Sequence, residues 1–147
     1  MTENEQKYQN YKDQFTRLKK AMDYQFYLEA LAIEYNIIED RAESILRYEG
    51  NQINDEKASI YKKLSKIKKL SEQKKSLPEK YFSDDLIDQI LLWKDLRNKY
   101  IHALLKQSFH TEDIRRIAEE GEYLATQISR RANNYKRAVE RRGKKTI

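Results

Sequence analysis

Arg97 falls on a helical stretch where the periodicity asks for an apolar residue, and its position sets the chemistry open to this chain. Plotted at about 100° per residue, Leu86, Ile87, Ile90, Leu91, Leu92, Trp93, Leu96, Tyr100, Ile101, Ala103, Leu104 and Leu105 cover roughly 260° of a helix. Arg97 projects from the middle of that arc, and Asn98 and His102 lie one turn apart at its polar rim. A guanidinium does not lose its proton, so in such surroundings it needs a carboxylate, carbonyls or a phosphate. The internal candidate is Glu34, which interrupts the apolar arc of another helix, formed by Phe26, Tyr27, Ala30, Leu31, Ile33, Ile37, Ile38, Ala42 and Ile45. Glu34 must find a cation, reach a water-filled cleft or take up a proton. Arg41 interrupts the same arc. Two chemistries follow: a structural Arg97–Glu34 pair, or phosphate binding at Arg97 with an imidazole nearby.

The elements that must position these residues are all helical. Tyr8, Tyr11, Phe15, Leu18 and Met22 give a first amphipathic stripe within residues 1–22. Asp23 is a candidate cap for a second helix that runs to Glu49, with Gly50 as a left-handed stop. No Pro or Gly separates the two, so a single bent helix fits equally well. A third helix is expected from about Asp55 to Gln73, with Ile60, Leu64 and Ile67 inside; Leu77-Pro78 then opens a linker. Ser83 is expected to cap a fourth helix running to about Gln107. Thr111 would cap a fifth, with the stripe Ile114, Ile117, Leu124, Ile128, Tyr135 and Val139, and a frayed basic tail over 141–147. No stretch alternates with period two for the length of a strand. The expected fold is one all-α domain over 1–147, a four- to five-helix bundle.

Composition narrows the function classes. No apolar run exceeds four residues, as in Ile90–Trp93, so no membrane span is expected, and residues 1–15 do not read as a signal peptide. The absence of Cys removes disulfides, thiolate metal sites and cysteine nucleophiles, and the 3 Gly form no phosphate-cradling loop. Two His without clustered carboxylates make no metal site, and no cofactor is expected. His110, in the SFHTED turn, reads as an ordinary loop residue. A cytoplasmic location is expected. The net charge of +6 is concentrated. Residues 57–75 carry eight Lys against one Glu, residues 130–145 carry eight Lys or Arg against one Glu, and the remainder is net acidic. That distribution suits a polyanion, with Lys62, Lys63, Lys66, Arg130, Arg131, Lys136 and Arg137 as candidate RNA contacts. The bland alternative is a set of solvated helix faces. The 11 Tyr read as core or interface residues rather than as platforms for stacked bases.

The segment Trp93-Lys-Asp-Leu-Arg97-Asn98-Lys-Tyr-Ile-His102 resembles the HEPN superfamily, whose signature is an Arg followed at short spacing by a His, often with a polar residue directly after the Arg. The motif covers Arg97 to His102; the architecture it implies covers about residues 23–140. The resemblance implies a metal-independent endoribonuclease in which an RNA 2′-OH attacks the adjacent phosphorus. His102 would move the proton, since an imidazole titrates at about 6.5. Arg97 would hold the phosphorane, and Asn98 would orient His102. DNA, lacking the 2′-OH, would not be cut.

Arg97 and His102 are five residues apart, about 140° around a regular helix. Either the helix is distorted there, or the cleft is shared between two chains. Members of the family pair their motifs across a two-fold interface, so the resemblance implies a homodimer with Arg97, Asn98 and His102 of both chains lining one groove. A toxin or phage-defence role, and a cognate antitoxin or regulatory protein, are further implications. One departure stands out: HEPN toxins paired with a nucleotidyltransferase antitoxin typically carry, two residues after the motif His, a Tyr that receives AMP, and here that position is Leu104. A non-catalytic module that binds RNA or nucleotide phosphate, and a helical scaffold held by an Arg97–Glu34 pair, remain as alternatives.

Overall fold

A computed structural model describes residues 2–48, 50, 58–104, 106 and 111–145. These form six helices in the order α1 (Glu3–Asp23), α2 (Tyr27–Tyr48), α3 (Ile60–Ser71), α4 (Leu77–Phe82), α5 (Leu86–Ala103) and α6 (Thr111–Lys145), with no strand among the described residues. None of these helices is long and apolar enough to cross a membrane.

Residues 3–48 make two helices rather than one bent rod. The break needs no glycine: Gln25 adopts the left-handed conformation at φ 63°, and the Phe26 N–H returns to the Ala21 carbonyl at 2.8 Å. Asp23 is therefore the last residue of α1 and not the cap of α2. Thr2 opens α1 through a capping box with Glu5. The Leu77-Pro78 pair does not form a linker. Ser76 accepts from the Glu79 N–H, and Pro78 sits in the first turn of α4, where a missing N–H costs nothing. The cap of α5 differs as well: Asp85, not Ser83, is the N-cap, without a side-chain capping bond, and Asp84 accepts from the Leu86 N–H at 3.3 Å. Thr111 is the first residue of α6, and this helix continues through the expected frayed tail to Lys145. The third helix starts at Ile60 rather than near Asp55, because Ser59 caps it by accepting from the Lys62 N–H, and it ends at Ser71; α5 ends at Ala103, with Leu104 as its cap, rather than near Gln107. His110 lies outside the described residues.

α2 and α6 form the central pair, with α1 packed on α2 and with α3, α4 and α5 completing the bundle. The α6 stripe places Ile117, Leu124, Ile128 and Tyr135 in the core against Leu31, Ile38, Ile45 and Leu46 of α2. The ring of Tyr135 meets Phe82 edge-on at 5.3 Å, tying α4 to α6. One turn before Tyr135, Arg131 adds to the same junction by hydrogen-bonding Asp84 and donating to the Tyr81 carbonyl at 3.3 Å.

α5 departs from the expectation that an apolar circumference means burial on all sides. Leu86, Ile87, Ile90 and Trp93 are buried, but no described residue after Trp93 is. Leu92 is 72% exposed and Leu96 40%. The buried side chains of α5 thus lie on one face up to Trp93, while Leu92 and Leu96 stand exposed and Tyr100 packs only partly against the core.

Candidate functional site

The candidate site lies where α2, α5 and α6 meet. Trp93 anchors α5 there, fully buried, with its indole N–H donating to the Ile117 carbonyl of α6 at 2.8 Å. One turn further along α5, Arg97 lays its guanidinium over the Tyr35 ring of α2, with Cζ 4.2 Å from the centroid. Its Nη1 donates to Asn98 Oδ1 at 2.9 Å, while its buried Nε has no hydrogen-bond partner. Arg97 forms no ion pair among the described residues. Burial pulls it below the ordinary guanidinium value, with Tyr35 and then Glu34 opposing the shift. A poorly solvated cation of this kind gains from an added anion.

Glu34, adjacent to Tyr35 on α2, is completely buried, and neither of its carboxyl oxygens makes a hydrogen bond. Burial, reinforced by Glu122 and opposed by Arg97, pushes its pKa up to about 10. At neutral pH the group is therefore a carboxylic acid and offers Arg97 no full negative charge. Gly121 of α6 makes this packing possible: a Cβ there would collide with the Glu34 carboxyl and come within 2.6 Å of Trp93 Cζ2. The sequence reading missed Gly121, although a glycine inside a helical stripe is a signal of close approach.

Arg41, the cation in the apolar arc of α2, is held in a similar way, over an aromatic ring and with a buried Nε that has no hydrogen-bond partner. It is buried, with Cζ 3.6 Å from the Tyr11 ring of α1, and the Tyr11 hydroxyl in turn hydrogen-bonds Asp40. Arg41 staples α1 to α2, whereas Arg97 is half-exposed.

The structure brings Arg97 and Asn98 together, but not Arg97 and His102. α5 is helical through both, so their side chains leave on different faces. His102 is exposed, on the side of the helix that also carries Asp95 and Lys99. The Asn98 carbonyl faces Arg97 in place of the expected partner His102.

The candidate RNA contacts divide into free and engaged cations. Lys62, Lys66, Arg130 and Arg137 are exposed. Lys63 is not a surface cation: it falls between Ile60 and Ile67 on the buried stripe of α3, with Nζ 3.6 Å from Glu43. Arg131 is held by Asp84, and Lys136 lies half-buried with Nζ 6.0 Å from the Tyr48 ring centroid. Of the tyrosines read as core or interface residues, Tyr8, Tyr24, Tyr61 and Tyr123 stand exposed, Tyr61 at 57%. Among the described residues no group of three or more His, Asp or Glu converges to hold a metal ion.

Comparison with known proteins gave no matching family model, no matching curated protein and no matching solved structure. The resemblance to the HEPN superfamily accordingly rests on the sequence motif Arg97, Asn98 and His102 alone.

Proposed function

We propose that this chain is a HEPN-like, metal-independent endoribonuclease that cleaves single-stranded RNA as a homodimer, in the manner of a toxin or phage-defence effector. One observation carries the reading. Arg97 is held half-buried on the Tyr35 ring with an unpartnered Nε, beside a carboxyl that burial keeps neutral. A permanent cation thus stands in a poorly solvated position, and among the described residues no ion pair matches it. A phosphodiester would do so bidentately.

Chemistry at such a phosphate follows from the side chains. A neutral imidazole takes the proton of the RNA 2′-OH as that oxygen bonds to phosphorus. The bond from phosphorus to the 5′-oxygen breaks, and an imidazolium returns a proton to the departing oxygen, leaving a 2′,3′-cyclic phosphate and a 5′-OH. Arg97 stabilises the charge that builds on the non-bridging oxygens. Because Arg97 and His102 of one chain leave α5 on different faces, the groove requires two copies. The exposed Leu92 and Leu96 supply the apolar surface for a two-fold contact through α5, and that contact brings His102 of the partner subunit toward the shared groove.

Incubating single-stranded RNA with the protein in EDTA tests this directly. Fragments ending in 2′,3′-cyclic phosphate, an uncut DNA of the same sequence, and loss of cleavage in His102→Ala are expected. A second reading, a non-catalytic module binding RNA phosphate at Arg97, draws on the divergence of Arg97 and His102 within one chain. Intact RNA that is nonetheless bound, with binding lost in Arg97→Ala, would favour it.

A further inference from the structure

A second cation–aromatic pair stands one helical turn from the first. Lys94 of α5 places its Nζ 5.3 Å from the centroid of the Tyr61 ring of α3 and 2.9 Å from Asp95 Oδ1. Its side chain is only 12% exposed, so its stem is fixed between helices, unlike that of a surface lysine. Tyr61 is the reverse: it sits in the rigid first turn of α3, behind the Ser59 cap, yet 57% of it is exposed. Tyr35 lies between the two pairs, close enough to feel the charge of both Arg97 and Lys94. Positions 94 and 97 are neighbours on one face of α5. A phosphate held at Arg97 therefore has, about one helical turn away (about 5.4 Å), a fixed ammonium and an open aromatic face, with exposed Lys62 next to that ring in sequence.

We propose that Tyr61 and Lys94 form a nucleotide subsite beside Arg97, in which Tyr61 stacks a base of single-stranded RNA and Lys94 meets the backbone that joins it to the phosphate at Arg97. The subsite rests on the reading of Arg97 as a phosphate contact and adds what that reading lacks, a preference for base-bearing strands over bare polyanions. An exposed ring oriented by a cation suits this task because every base has a π-face. Such a platform accepts any sequence while excluding duplex, whose bases are already stacked.

The test compares binding of a short fluorescent oligoadenylate with binding of an abasic ribose-phosphate strand of the same length. Tyr61→Ala is expected to weaken oligoadenylate binding by roughly tenfold and to leave the abasic strand unchanged. Tyr61→Phe, which keeps the ring, is expected to stay within about twofold of the parent on both. Equal affinity of Tyr61→Ala and the parent for oligoadenylate, or an equal loss on both strands, overturns the stacking role. Arg97→Ala separates the two ideas. If it weakens both strands while Tyr61→Ala changes neither, the subsite falls and the phosphate role of Arg97 stands. If the parent protein binds neither strand, both fall.

Discussion

The guanidinium of Arg97 rests on the ring of Tyr35, 4.2 Å from its centroid, and not against the carboxyl of Glu34, one residue earlier on the same helix. Arg97 has no carboxylate partner among the described residues, and burial pushes the pKa of the neighbouring Glu34 up to about 10. That arrangement supports the proposed phosphate contact over a structural Arg97–Glu34 pair.

Glu34 should leave a signature in the pH dependence of stability. Its folded-state pKa, about 10, lies above the ordinary 4.5, so the native state binds the proton more tightly than the unfolded chain does. The stabilisation from that bound proton is complete below about pH 4.5 and is lost as pH rises toward about 10, at up to about 1.4 kcal/mol per pH unit. Glu34→Gln, neutral throughout, should melt higher than the parent at pH 8 by an amount on the order of a few kcal/mol, with the gap closing toward pH 4. Parallel melting curves from pH 4 to pH 9 would show that Glu34 is not a buried neutral acid.

Gly121→Ala should reverse a familiar trend. Within a helix this change ordinarily gains about 1 kcal/mol. Here the new methyl would strike the Glu34 carboxyl and Trp93 at the α2–α5–α6 junction, so a loss on the order of 1–3 kcal/mol is expected in denaturant titration. A stabilised variant would contradict the packing described.

Arg131→Ala should cost about 1 kcal/mol, because the cation joins a half-exposed pair with Asp84 to a hydrogen bond on the Tyr81 carbonyl. The Arg131 hydrogen bond holds Asp84 below its ordinary 3.8, so the contribution of the pair is present at neutral pH and fades as pH falls below that value. Thermal melts at pH 7 and pH 2.5 measure it; an equal deficit at both would assign the loss to packing alone.

Leu92 and Leu96 tell an interface from a core. Both are exposed in the protomer, so Leu96→Glu should leave its helicity essentially unchanged while converting a dimer to a monomer in light scattering, removing the concentration dependence of melting and abolishing RNA cleavage. A parent protein that is monomeric at micromolar concentration would remove the shared groove.

Much of this was legible in the residues. Glu34, Arg41 and Arg97 each stand out against apolar arcs, and all three are buried or half-buried in the structure. The stripe of α6 is visible in its spacing, as are the helical class and the basic segments. What periodicity does not encode is the identity of the neighbour. The apolar run of α5 reads the same whether it faces a core or a second molecule, so the exposure of Leu92 and Leu96 could not be foreseen. Nor does the break at Gln25 announce itself, since the left-handed turn there uses no glycine. Lys63 was readable, three residues from Ile60 and four from Ile67, but charge was weighed there above register. The partner of Asn98 depends on side-chain geometry that no spacing rule supplies.

The salt dependence of RNA affinity for Arg97→Ala tests the central claim most directly. If Arg97 meets a phosphate, its removal weakens binding of single-stranded RNA and lowers the slope of log affinity against log salt by about 0.7, the share of one neutralised phosphate on a single strand. An unchanged affinity and slope would make Arg97 a structural cation on Tyr35, as Arg41 is on Tyr11, and the ribonuclease reading would lose its foundation.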